Sequence, residues 1–209
     1  MALIRIDPAA LHAAADRHRK VYNTVEEVAA RMDSMASQLN SVWDGGASEQ
    51  AISELKEIRA SVKRIAAGNE ESAGFLDGVA QAFEALDAGN GGISAIRMVV
   101  KGIADLACPR PIIALILGLR GVLRIEPDGV REVAAQGRSV ADILMSTCDE
   151  LRSSTDALMA NWEGNSARKF QAETEDMIQA FLRVAEAMNE YSDSLISAAN
   201  RYEELDNSL

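Results

Sequence analysis

The sequence predicts an all-α protein in which two helix-turn-helix hairpins form an antiparallel four-helix bundle. Three observations support this fold class. Hydrophobic residues make up 48% of the 209 residues, whereas aromatic residues contribute 4% and proline occurs four times, which favours helices over sheets. Apolar residues recur over long stretches with the three- and four-residue steps of a helix seam. Finally, these seams occur twice, at a constant separation along the chain.

The first hairpin contains two long helices joined at Trp43-Asp44-Gly45. Asp7 before Pro8 supplies a side-chain acceptor for the start of the first helix, and Gly45 suits a left-handed residue at its end. Ser48 is a possible cap for the second helix. The apolar positions are Val21, Val25, Val28, Met32, Met35, Leu39 and Val42, and then Ala51, Leu55, Ile58, Val62, Ile65, Leu76, Val79, Phe83 and Leu86.

The second hairpin keeps the same register, with Gly164 at the turn and Glu126-Pro127 as a weaker start signal. A hairpin alone leaves one apolar stripe in water, so the two hairpins should pack together as an intramolecular pseudo-dimer. Polar residues interrupt this seam at Thr147, Ser154 and Thr174. Its apolar positions are Val140, Leu144, Leu151 and Leu158, and then Phe170, Met177, Phe181, Val184, Met188, Tyr191, Leu195, Tyr202 and Leu205.

An ungapped internal repeat relates the two hairpins. Residues 4–8 recur as residues 123–127, a shift of 119 positions (123 minus 4). Trp43-Asp44-Gly45 recurs as Trp162-Glu163-Gly164, and residues 83–87 recur as residues 202–206, both with the same shift. We therefore predict a first hairpin over residues 1–87, a connector over 88–122 and a second hairpin over 123–209.

A Trp-X-Gly turn between two long helices, with Tyr-X-X-X-Asp near the end of the second, resembles the WXG (ESAT-6-like) superfamily. The resemblance covers both hairpins, about four fifths of the chain. It implies a small helical protein that is exported in folded form by a type VII secretion system of Gram-positive bacteria or mycobacteria. In that superfamily two hairpins pair antiparallel, so the Trp turn of one lies near the Tyr-X-X-X-Asp end of the other, and the two motifs together form the export signal.

Transferred onto this sequence, the resemblance implies two composite sites. Trp43 and Gly45 would pair with Tyr202 and Asp206 to form the secretion signal or partner-binding site. Trp162 and Gly164 would pair with Phe83 and Asp87, a degenerate second motif in which phenylalanine replaces tyrosine. A tryptophan at a helix turn is also a common packing residue, so burial is the competing interpretation for both indoles.

The connector has no counterpart in an ordinary single hairpin. Ile96, Val99, Val100 and Ile103 repeat at helical spacing, and prolines at 109 and 111 interrupt the chain before an apolar run, which predicts one or two short helices. Basic residues outnumber acidic ones there. We expect the connector to pack as a brace on the acidic bundle, with contact to a membrane surface through residues 93–119 as the alternative.

Several classes of function are disfavoured. A formal net charge of −11 argues against nucleic-acid binding, since phosphate contacts need clustered Lys and Arg. His12 and His18 lie six residues apart, which does not suit one metal ion, and Cys108 and Cys148 show no metal or redox spacing, so both are expected to be free thiols. No nucleophile, base or phosphate-loop pattern is present. We predict no enzymatic activity, no cofactor and no metal.

The sequence therefore predicts a non-enzymatic substrate or carrier (adaptor) of type VII secretion, in which one chain replaces a WXG dimer. Its expected partners are the secretion ATPase or other machinery, with another WXG-type or effector protein as a further possibility. The amino terminus lacks a Sec-type signal peptide, so we expect cytoplasmic synthesis and export without cleavage, to the medium or the cell envelope. The alternatives are the export-targeting domain of a larger toxin, if chain follows Leu209, and a membrane-active helical protein.

Overall fold

The fold is all-α, and the predicted pair of antiparallel hairpins is confirmed. The computed structural model describes residues 7–87 and 124–206. In this part of the chain, helix α1 spans Pro8–Val42 and helix α2 spans Gly46–Asp87. Helix α3 spans Pro127–Met159 and helix α4 spans Asn165–Asp206. The predicted connector, residues 88–122, lies outside the described residues.

Most of the predicted helix boundaries match the structure. Asp7 Oδ1 accepts a hydrogen bond from the backbone N–H of Ala9 at 3.0 Å, which makes Asp7 the N-cap of α1. Gly45 and Gly164 have φ angles of 112° and 119°, in the left-handed region that favours glycine. The suggested cap at Ser48 is wrong, because α2 begins at Gly46 and Ser48 is a buried residue of its first turn.

The described chain forms two compact units, and each unit contains a segment of all four helices. Unit 1 comprises residues 7–25, 64–87 and 146–180. The start of α1 packs there on the end of α3, within a core that includes Leu11, Leu76, Leu158, Trp162 and Phe170. The compact units cut across the two hairpins, so the proposed domain division remains a prediction about chain order.

Unit 2 comprises residues 26–63, 124–145 and 181–206. The end of α1 approaches the start of α3 there, since a Cβ placed on Gly129 would lie 2.7 Å from Val42 Cγ1. The hydroxyl of Tyr191 on α4 donates to the carbonyl of Ala51 on α2 at 3.1 Å. The buried apolar residues of unit 2 include Val28, Met32, Met35, Leu39, Leu55, Ile58, Val62, Leu144, Phe181, Val184, Met188 and Leu195.

Unit 2 also contains a short antiparallel ladder that the sequence did not predict. Strand β1, Trp43–Asp44, pairs with strand β2, Arg124–Ile125, with Trp43 opposite Ile125 and Asp44 opposite Arg124. The backbone N–H of Glu126 then donates to the carbonyl of Val42 at 2.7 Å. The ladder fixes the segment that precedes α3 against the turn that follows α1.

Candidate functional site

The Trp43 turn is built by a glycine and by the short ladder. Gly45 adopts a positive φ, and its carbonyl accepts the backbone N–H groups of Ser48 at 3.0 Å and Glu49 at 3.2 Å. These bonds start α2 directly after the turn. Trp43 is held opposite Ile125 in the ladder and is only 1% exposed. The packing interpretation therefore applies to Trp43.

The indole N–H of Trp43 is buried and has no hydrogen-bond partner among the described residues. An unpartnered buried donor is unfavourable by about 1–3 kcal/mol, so packing of the large ring must stabilise this arrangement. Trp43 therefore offers a partner little accessible surface of its own. The contribution of Trp43 is to pack beneath the turn and hold it in place.

The end of α4, which carries the other half of the predicted signal, lies in the same compact unit as Trp43. The first turns of α3 touch both regions. Gly129 approaches Val42, the residue before Trp43, while Arg131 binds Glu203, the residue after Tyr202. Tyr202 is half-buried and Asp206 is exposed. Because four residues separate them, they lie one helical turn apart on the same face of α4.

The second Trp turn belongs to unit 1. Trp162 is 3% exposed, and its ring centroid lies 5.7 Å from that of Phe170 and 6.4 Å from that of Phe75. Phe83 is half-buried in the same unit, but the aromatic partners of Trp162 within the described chain are Phe75 and Phe170. The rings of Trp162 and Phe83 are therefore not in contact with each other among the described residues, and the degenerate second motif stays a prediction. Asp87 is the last residue of α2.

His18 is a buried residue that sequence analysis did not identify. Its Nδ1 lies 3.0 Å from Asn69 Oδ1, and Asn69 Nδ2 donates to the carbonyl of Ile65 at 3.1 Å. The Asn69 carbonyl oxygen must therefore accept, so His18 carries its proton on Nδ1. Burial lowers the pKa of His18 from 6.5 to about 4. Its position three residues before Val21, the first seam residue identified in α1, was the available signal.

His12 lies at the surface of the same unit. Its Nδ1 is 2.8 Å from Asp77 Oδ1, and its Nε2 is 3.3 Å from Glu84 Oε1. The hydrogen bond to Asp77 raises the pKa of His12 above its usual value. The described residues contain no group of three or more His, Cys, Asp or Glu side chains suited to hold a metal ion.

The chain belongs to the WXG100 family, described as proteins of 100 residues with WXG. The family model matches twice, over residues 3–88 and 122–207, so this is a tandem WXG protein. It is also similar to Protein YukE of Bacillus subtilis (strain 168), with 23% identity over 91 residues, which cover 44% of this chain and 94% of that protein. No solved structure matches the chain significantly. Neither match is to a catalytic family.

Within residues 7–87 and 124–206, no helix has both the length and the apolar character required to cross a membrane.

Proposed function

We propose that this protein is a non-enzymatic substrate or carrier of a type VII secretion system, in which one chain supplies both hairpins. One observation carries the proposal. Each Trp turn lies in the same compact unit as the carboxyl-terminal end of the other hairpin's second helix. The two matches to the WXG100 family support the same conclusion. A single chain therefore contains both halves of each composite motif.

The two ends differ in chemistry, and this difference favours one of them as the export signal. Tyr202 keeps a hydroxyl, which can donate and accept hydrogen bonds, and Asp206 places an exposed carboxylate one turn further along α4. Phe83 occupies the equivalent position in the first hairpin and lacks that hydroxyl. The proposed signal therefore consists of Tyr202 and Asp206 as the accessible groups, with Trp43 and Gly45 shaping the turn beside them.

The proposed route follows from this signal. The protein is made in the cytoplasm and exported as a folded unit by the type VII machinery. Its partner is the secretion ATPase or another part of the machinery that reads the Tyr202 and Asp206 end. The exported chain does no chemistry of its own and needs no cofactor.

Matched substitutions at the two ends test the proposal. Tyr202→Ala and Asp206→Ala are expected to abolish export into the medium while both purified proteins stay folded. Asp206 is exposed, so its variant should keep the wild-type melting temperature, whereas loss of the half-buried Tyr202 ring should lower it modestly. Phe83→Ala removes the equivalent ring from the other end, and Phe83→Tyr adds the hydroxyl. Both Phe83 variants are expected to be exported. Normal export of folded Tyr202→Ala and Asp206→Ala proteins would contradict the proposal.

The tryptophans need a separate control, because both are buried. Either Trp→Ala change is expected to lower the free energy of unfolding by about 3–5 kcal/mol. Trp43→Ala is expected to block export and Trp162→Ala to leave export in place for the fraction that stays folded. Loss of export in both variants, in proportion to lost stability, would show that Trp43 has no specific part in the signal.

A further inference from the structure

The internal repeat places two different basic side chains at equivalent positions. Arg131 on α3 corresponds to His12 on α1, and Glu203 on α4 corresponds to Glu84 on α2, each pair at the same shift of 119 positions (131 minus 12 and 203 minus 84). In both hairpins the basic residue of the first helix binds this glutamate in the last turns of the second helix. Each hairpin therefore has an equivalent ion pair between its two helices. We call these pairs the clasps: the His12 clasp, His12 with Glu84, and the Arg131 clasp, Arg131 with Glu203.

The Arg131 clasp is permanent. Arg131 Nη1 lies 2.7 Å from Glu203 Oε1 and Nη2 lies 2.5 Å from Oε2, so the guanidinium binds both carboxylate oxygens. The same side chain donates to Asn200 Oδ1 at 2.8 Å and to Asp128 Oδ1 at 3.1 Å. Arginine keeps its charge at every physiological pH, and this planar pairing fixes direction as well as distance. Two residues of α4 on either side of Tyr202 are therefore held on α3.

The His12 clasp depends on a proton. Both ring nitrogens face carboxylate oxygens of α2, Asp77 at 2.8 Å and Glu84 at 3.3 Å. Only the doubly protonated ring can donate to both. On deprotonation the shorter bond to Asp77 favours a proton on Nδ1, so Nε2 faces Glu84 with a lone pair and that contact becomes repulsive. Arg19 also binds Asp77 and holds Asp16 at 2.9 Å, so Asp77 stays paired in either state.

We propose that Arg131 is a positioning residue that fixes the last turn of α4, and that protonation of His12 sets how firmly the last turns of α2 are held. This inference rests on the proposed function, because it explains how one end of the pseudo-dimer becomes the export signal. Tyr202 and Asp206 are presented in one geometry regardless of pH. The Phe83 end is less firmly held once His12 is neutral, which makes it a poorer recognition surface.

Hydrogen-exchange protection factors in the full chain test the two clasps directly. Between about pH 6.5 and pH 8, above the range in which His18 changes stability, protection of residues 81–87 should fall about two- to fivefold as His12 loses its proton, the range that an exposed ion pair supplies. Protection of residues 200–206 should not change. His12→Arg should abolish this fall at 81–87, and Arg131→His should create one at 200–206. A fall toward alkaline pH at 81–87 that persists in His12→Arg would overturn the proposal.

His18 also titrates in unit 1, and the experiment separates its effect. Protonation of the buried His18 ring loosens the unit as the pH falls, which is the opposite direction. His12→Arg leaves that contribution unchanged. Wild-type protection at 81–87 that does not fall between about pH 6.5 and pH 8, where His18 is neutral in both states, would show that the His12 clasp contributes nothing.

Export of variants at Arg131 and His12 is the second test of the proposal. Arg131→Gln should reduce export of the folded protein, Arg131→Lys should restore part of it by keeping the charge without the fork, and His12→Gln should be exported like the wild type. If Tyr202→Ala blocks export but Arg131→Gln does not, the positioning role is wrong while the signal stands. If Tyr202→Ala is exported, the proposed function fails, and the exchange measurements still decide whether the clasps exist.

Discussion

Protonation of His18 should cause a large loss of stability in mildly acidic solution. The ring is 1% exposed and lies edge-on to Phe170, with ring centroids 5.6 Å apart. Within the described part of the chain, the hydrogen-bond partner of its ring is the carbonyl oxygen of Asn69, whose amide orientation is fixed by Ile65. A charged imidazolium there would leave Nε2–H without an acceptor in a region lined by aromatic rings.

The size of the effect follows from linkage. The pKa of His18 is about 4 in the folded protein, compared with 6.5 in the unfolded chain, because burial disfavours the charged ring. Each pKa unit corresponds to 1.36 kcal/mol, so the difference amounts to about 3 kcal/mol. The folded state binds the proton more weakly than the unfolded state. This contribution is therefore fully present above pH 6.5 and is lost as the pH falls toward 4.

Urea unfolding followed by circular dichroism at a series of pH values measures this loss. The matched control is His18→Gln, which keeps a donor for Asn69 but does not titrate. Carboxylates and His12 titrate in both proteins, so their contributions cancel in the difference between the two curves. The wild-type protein should lose about 3 kcal/mol more than His18→Gln between pH 7 and pH 4. Parallel curves would refute the reasoning, because they would mean that His18 ionises freely.

Three further substitutions probe helix packing within the two units. Gly129→Ala should lower the free energy of unfolding by about 1–3 kcal/mol because its Cβ meets Val42, whereas Gly74→Ala, where nothing lies within 4 Å, should raise stability by about 0.5–1 kcal/mol through helix propensity. A loss at both positions would show that the close approach is not the cause. Tyr191→Phe removes a buried hydroxyl that binds a carbonyl of α2 and should lower stability by about 1 kcal/mol, and unchanged urea midpoints would show that this bond contributes nothing.

Periodicity predicted the helices because helical spacing is a local feature of the sequence, and the repeat indicated that the hairpin occurs twice. The seam residues, the Asp7 cap and the two positive-φ glycines could all be identified from their spacing. The two-residue ladder could not be predicted in this way. Trp43 and Ile125 are far apart in sequence, and two residues are too few to show a strand pattern.

The polar contacts between the helices could not be predicted from the sequence either. Sequence analysis assigned no role to His12 or His18, yet His18 is buried against Asn69 and His12 contacts two carboxylates of α2. The position of a residue along α1 sets its face, but its hydrogen-bond partner depends on which side chains the other helices bring against that face. The equivalence of His12 and Arg131 was present in the sequence, since the 119-residue shift relates them, but their shared glutamate contact needed the packed structure.

Sedimentation equilibrium of the full chain at micromolar concentration tests most directly whether one chain replaces a dimer of hairpins. Both hairpins already contact each other within each compact unit, so no second chain is needed to cover their apolar stripes. The account predicts a mass of 22.5 kDa together with a cooperative melt. A mass near 45 kDa, about twice the chain mass of 22.5 kDa, or the absence of a cooperative melt by the isolated chain, would contradict it.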